Sequence, residues 1–459
     1  MKRSAVLRLG VRTAGACAAA VAWAVVEGCA SHSETMVPVR TALDMGQPAR
    51  AIALLNHEMA VTRDTDVPSD LGGDRCLLLL DRGSVQQSMS RFDRSEHDLE
   101  TADKAIDMLD LAHDAKDTIG EYVFSGSSGK YQAPPYEKLL VNTLDMLNYL
   151  ELRDLNGARV EARRLAVIQR YVADQLHERD NAVIGLGAFL AGFVYERSDE
   201  IDEALRWYDE SLAFTGFRSL GAPVRDLLAR GSYRSPRLTS LETSGDVAKG
   251  TPASAVGQGD VVFVVGYGRV PYKVAERIPI GLALTLYADA MAPGDVVAAN
   301  RLAAQGLVTW INFPSLSREQ GTYDVPACTV DGRFVQLEEA VDVTSQVRAE
   351  WKKIEGKVIV SAITRLIARY AAGTVAQVAA GQDSLVGLVL SLGAQATLTA
   401  LDTPDTRSWE TLPARVAIAR VRLPAGRHRV HVDARGVLRD IDLSVEDGGW
   451  SVVSLMGLR

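Results

Sequence analysis

PPYEKLLVNTLDMLNYLELRDLNGARVEARRLAVIQRY, residues 134–171, and AFLAGFVYERSDEIDEALRWYDESLAF, residues 188–214, decide how the first half of this chain is built. Both stretches carry apolar residues at three- and four-residue steps, the period of helices with one buried face. Small and aromatic residues take regular places along them: Gly192, Tyr195, Ala204, Tyr208 and Ser211 in the second stretch, and Tyr149, Ala158 and Ala162 one unit upstream. The two stretches read as stacked helical hairpins.

These spacings resemble the packing positions of a tetratricopeptide repeat. Further upstream, Gly46, Ala51 and Leu55 in DMGQPARAIALLNHE match the second half of such a unit, and Gly83, Leu99 and Ala102 fit another. Four hairpins are expected before Gly231, with irregular spacing between them. Between the second and third lies EYVFSGSSGKYQAPPYE, Glu121 to Glu137, whose small residues predict an exposed loop bracketed by aromatics, among them Tyr131 and Tyr136. GSSGK ends as a phosphate loop does, but Phe124 stands where the first glycine of that motif belongs. A partner-docking loop is the better reading, which makes Tyr131 and Tyr136 candidate partner-binding residues.

From Gly231 the composition shifts to Ser, Gly, Pro and Thr through TSGDVAKGTPASAVGQGD, read as an interdomain linker over 231–258. VVFVVGYGRVPYKVAERIPI then switches to strand behaviour, with Gly266-Tyr267-Gly268 as a hairpin turn. A short helix is expected at 293–307, a strand broken by Asn312-Phe313-Pro314, strands around 323–337 and a long helix over 338–378. Residues 371–400 are rich in Ala, Gly, Leu and Val, but Gln382, Asp383 and Gln395 interrupt them, so a packed helix is favoured over a membrane hairpin. VAIARVRLPAGRHRVHVDARGVLRDIDLSV alternates as an antiparallel meander does. The expected fold is α+β: a leader at 1–28, a helical-hairpin, tetratricopeptide-like solenoid at 29–230, the linker, and a mixed α/β domain at 259–459 ending in that meander.

Residues 1–28 place Lys2, Arg3, Arg8 and Arg12 ahead of the apolar run AGACAAAVAWAVV, the layout of a secretory signal. Val26-Glu27-Gly28-Cys29 resembles a bacterial lipobox, in which the cysteine is diacylated and becomes the new N-terminus. Glu27 and Val26 depart from the usual residues. By that resemblance Cys29 is the lipidation site, and Ala30 and Ser31, with no aspartate, imply the periplasmic face of the outer membrane. Cys76 and Cys328 fall in different expected domains and read as separate buried thiols. The formal net charge of −8 becomes more negative once the basic head is removed, and no basic block is present. Nucleic acid is therefore excluded as the main partner, because phosphate neutralisation needs clustered Lys and Arg.

The seven histidines form no two-ligand helical pair or HExxH, and His428 and His431 fall on opposite faces of a predicted strand. No nucleophile elbow, metal spacing or cofactor loop is found, so no catalytic, metal or cofactor residue is assigned. Arg407 and Trp409 stand out in DTRSWETLP. They could hold a glycan or acidic peptide, or Trp409 could seal a helix–sheet junction beside a carboxylate-paired Arg407. Together with the leader, LLLLDRG and Tyr136-Glu137-Lys138-Leu139-Leu140-Val141-Asn142, this segment resembles a family of uncharacterised bacterial outer-membrane lipoproteins with tetratricopeptide-like repeats. The anchor and the helical repeats together are read as a lipid-anchored periplasmic scaffold that binds a protein partner of the cell envelope, such as an assembly factor or activator for cell-wall machinery. An accessory lipoprotein of secretion or polysaccharide export is the alternative, and a cell-wall glycan enzyme the third.

Overall fold

The computed structural model describes residues 31–108, 131–174, 183–243, 257–304, 310–318, 323–379 and 404–459. The fold is mixed α+β, with helices in the N-terminal part and sheets in the C-terminal part. The chain gathers into two compact units. The larger takes in residues 37–273, 316–355 and 407–459, so it holds elements from both sides of the 231–258 stretch. The smaller takes in 274–315 and 356–406, together with the chain up to Met36.

In the larger unit, four helix pairs follow one another among the described residues: α1 (Val37–Asp44) with α2 (Pro48–Glu58), α3 (Arg75–Ser88) with α4 (Phe92–Asp103), α5 (Pro135–Glu151) with α6 (Leu155–Asp174), and α7 (Val183–Arg197) with α8 (Ile201–Phe214). Each pair packs through the residues its periodicity marks as apolar. Ala158, Ala162, Ala204 and Tyr208 are fully buried, as is nearly all of α7. Glycine lets the aromatic rings approach the backbone: a Cβ on Gly192 would lie 2.6 Å from the Tyr208 ring, and one on Gly157 2.3 Å from the Tyr149 ring. Helices α9 (Gly221–Leu228) and α10 (Pro236–Thr243) follow, the second inside the stretch read as a linker.

Two four-stranded sheets complete this unit. The first runs β10–β1–β7–β6, from β1 (Gln258–Tyr267), β6 (Glu338–Asp342), β7 (Arg415–Pro424) and β10 (Trp450–Gly457). The second runs β9–β8–β4–β5, from β4 (Ala327–Val330), β5 (Arg333–Val335), β8 (Gly426–Ala434) and β9 (Val437–Val445). Val261, Phe263, Val265 and Tyr267 of β1 share a core with Val430 and Val432 of β8 and with Val453 and Leu455 of β10. The other face of the first sheet meets helices, α3 and α5 against β10 and α7 against β6. A strand buried on both faces must be apolar throughout, which is why DVVFVVGY does not alternate. Two-residue loops with positive φ close the hairpins β4–β5, at Asp331-Gly332, and β8–β9, at Arg435-Gly436.

Three expectations fail here. Gly268 does turn the chain at φ +68°, but β1 does not pair with β2 (Lys273–Pro279): both edges of β1 are already taken, by β7 antiparallel and by β10 parallel. Instead β2 pairs with β3 (Trp310–Leu316), and β3 runs straight through Pro314, which a two-stranded sheet tolerates because each strand keeps one unpaired edge. The C-terminal strands are no simple antiparallel meander. Pro424-Ala425-Gly426 carries the chain from β7 in one sheet to β8 in the other, and β10 returns to lie parallel to β1.

The smaller unit contains α11 (Ile280–Tyr287) and α12 (Pro293–Ala304). Its core joins Ile280, Leu284, Ala299, Ile311 and Phe313 to Ile359, Ile363 and Leu366 of the long helix α13 (Val343–Ala379). No helix among the described residues is long and apolar enough to cross a membrane, and most of the 371–400 stretch lies outside them.

Candidate functional site

A buried network of charged side chains lies where the end of α7 meets β1 and β7. Alternation along β7 turns Ala417, Ala419 and Val421 toward the inter-sheet core and leaves Arg420 and Arg422 on the helix side. Register then sets Arg422 opposite Asp260. Arg420, buried to 1% side-chain exposure, grips Glu196 with both terminal nitrogens at 2.7 and 2.6 Å, and reaches Asp260 at 2.9 Å. Tyr208 completes the set: its hydroxyl donates to Glu196 at 2.7 Å and accepts from Arg420 at 3.0 Å. Arg197 holds Asp260 at 2.9 Å from the last turn of α7, where a cation also suits the helix dipole.

Burial alone would raise the Glu196 carboxyl, but the paired Arg420 outweighs it and brings the pKa down to about 2. Asp260 is lowered by the same balance of burial against Arg420. Both carboxylates are therefore held ionised. Beside them opens a cavity of about 160 Å³ whose lining includes Glu196, Arg197, Asp226, Arg230, Asp260 and Arg422. Charges of both signs line it. An arrangement of this kind can orient a small polar ligand.

The residues singled out in the sequence lie elsewhere. Cys29 is outside the described residues, as is the loop from Glu121 to Lys130. Tyr131, Tyr136, Arg407 and Trp409 are brought together, but as interior side chains at 1–5% exposure, so they pack inside the unit and form no open surface. Tyr131, Tyr136 and Trp409 converge on Glu137, which sequence reading passed over. Its carboxylate accepts from Tyr131 Oη at 2.7 Å, Tyr136 Oη at 3.2 Å and the Trp409 backbone N–H at 3.3 Å. The Trp409 indole donates to Ser84 Oγ at 3.0 Å, and Thr411 donates through N and Oγ1 to Asp81. Arg407 lies 5.9 Å from the Tyr131 ring and 3.9 Å from Asp74. LLLLDRG on α3, the start of α5 and DTRSWETLP thus meet in one polar knot. Of the two readings for Trp409, this is the buried plug.

Cys76 and Cys328 are both free and fully buried, and burial raises both thiols, Cys328 to about 11. His428 and His431 reach different carboxylates, Asp331 and Asp440. No cluster of three or more metal-binding side chains occurs among the described residues.

Asp98, Glu137, Asp145, Glu151, Glu161 and Glu210 have raised pKa values, by a large margin at Glu137, Asp145 and Glu151. Burial brings Glu137 and Glu151 to about 7, and burial beside Glu161 brings Asp145 to about 9. In the unfolded chain these groups titrate near about 4. Between that value and their folded values the native state keeps protons that the unfolded state has released, so stability falls as pH rises. Glu196 and Asp260, lowered, act oppositely and lose their contribution as pH falls below about 4. Urea unfolding is therefore expected to show the highest midpoint near pH 5. The decline should run through about 7 for the two glutamates and on to about 9 for Asp145. Asp145→Asn should flatten the upper part of that decline. A midpoint that climbs from pH 5 to pH 9 would contradict the assignment.

No family model, curated protein or solved structure matches this chain.

Proposed function

We propose that the chain is a lipid-anchored periplasmic adaptor at the outer membrane, whose helix pairs form a degenerate tetratricopeptide-like solenoid that binds protein partners of the cell envelope. The observation that carries this reading is the succession of four helix pairs, with glycine set against tyrosine at Gly192–Tyr208 and Gly157–Tyr149. Arrays of stacked helix pairs expose long continuous faces, and such faces recognise other chains. The layout of residues 1–29 supplies the anchor: acyl chains on Cys29 would hold the adaptor near its partners and raise their effective concentration. Cell-wall synthesis machinery is the partner class proposed first.

Crosslinking in intact cells, followed by capture of the lipidated protein and mass spectrometry, tests this. Recovery of a cell-wall synthase, lost when Cys29→Ala frees the protein from the membrane, is the expected result. Recovery of an export apparatus in its place would move the adaptor to secretion or polysaccharide export. No protein above background would overturn the adaptor reading.

A further inference from the structure

The charged cavity holds more hydrogen-bonding capacity than its walls use. Arg420, Glu196 and Asp260 satisfy one another. Arg230, two residues beyond α9, is exposed, and its side chain makes no hydrogen bond or ion pair among the described residues. Gln258 Oε1 and Arg197 Nε are buried with no partner. Arg422, engaged with Asp226 at 3.3 Å and Asp260 at 3.6 Å, lines the same wall. Buried polar groups are normally paired, so vacant capacity gathered in one cavity needs an explanation.

We propose that this cavity binds the α-amino-acid head group of a small zwitterionic ligand. The carboxylate lies between Arg230 and Arg422, whose planar forks suit it, and the ammonium lies toward Asp226 and Gln258 Oε1. Charge selects this class. Glu196, Asp226 and Asp260 line the same space and would repel a dianion such as phosphate, whereas a single carboxylate beside its own ammonium matches walls that carry both signs. Size agrees: 160 Å³ holds about ten waters at roughly 15 Å³ each, enough for the head group and a short side chain. The proposal is independent of the adaptor reading, since it concerns the end of α7 and the sheet rather than a long helical face.

Isothermal titration of the full chain in detergent tests it, with free L- and D-amino acids of one to four side-chain carbons, propionate, ethylamine and inorganic phosphate as probes. At least one amino acid is expected to bind at a single saturable site, with propionate and ethylamine each weaker by tenfold or more. Arg230→Gln should weaken that binding at least tenfold and leave the melting temperature unchanged, because its side chain supports nothing else. Asp226→Asn should reduce the amino acid to the affinity of propionate. Absence of saturable binding by every amino acid overturns the proposal. So does phosphate binding as tightly as the best amino acid, or Arg230→Gln binding as wild type does.

Discussion

Replacing Arg420 by alanine is expected to destabilise the larger unit by about 3–5 kcal/mol, the range for removing one partner of a buried ion pair. The cost comes less from the lost attraction than from what is left behind. Glu196 and Asp260 would stand beside each other at 7% and 8% side-chain exposure, with Arg197 bonded to both but no longer matched charge for charge. They can escape only by taking up protons, so the loss should shrink as pH falls toward 4. Urea unfolding should show a lowered midpoint with an unchanged slope. Adding Glu196→Gln and Asp260→Asn to an Arg420→Met background should recover much of the loss, since an apolar group among neutral amides strands no charge. A loss below about 1 kcal/mol would mean that the network is far wetter than its burial implies.

Trp409→Ala should cost a similar amount, about 3–5 kcal/mol, by opening a cavity under the helices. At 1% exposure the indole is the largest fully buried side chain of the larger unit, and the backbone around it is tied to α3 and α5 through Asp81 and Glu137. Trp409→Phe separates the two contributions. It keeps most of the volume but leaves Ser84 Oγ without its indole donor, and should cost only about 1–2 kcal/mol. Thermal melting of the two variants side by side decides it. Equal losses would mean that the hydrogen bond, rather than the volume, dominates.

The helices were legible because their signal is local. Gly192 and Tyr208, or Gly157 and Tyr149, sit within one hairpin, and periodicity over 15 to 20 residues places them. The apolar run at 261–265 announced a buried strand for the same reason. Pairing was not legible. Nothing in WSVVSLMG says that it lies parallel to β1, and nothing in LPAG says that the chain changes sheet there. The charged site was hidden by distance. Glu196 reads as a solvated acid at a helix end, and only Arg420, 224 residues later, makes it interior. Glu137 was overlooked beside Tyr136 because a carboxylate in a first helical turn needs no explanation on its own. The plug at Trp409 could be weighed but not fixed, since its hydrogen-bond acceptor, Ser84, comes 325 residues earlier.

Those long separations also order events during folding. The helix pairs can form as soon as each has been synthesised, because their contacts are local. Ser84, Glu137 and Glu196 then wait for Trp409 and Arg420, and β1 waits for a parallel neighbour at 450–457. Topologies that depend on such remote pairings close slowly. For that interval an already helical chain would present an uncovered apolar sheet-binding face to its surroundings. Passage of this protein through an aqueous compartment is therefore expected to depend on a holding chaperone more strongly than its helix content alone would suggest, and chains ending before residue 450 should be degraded rather than accumulate.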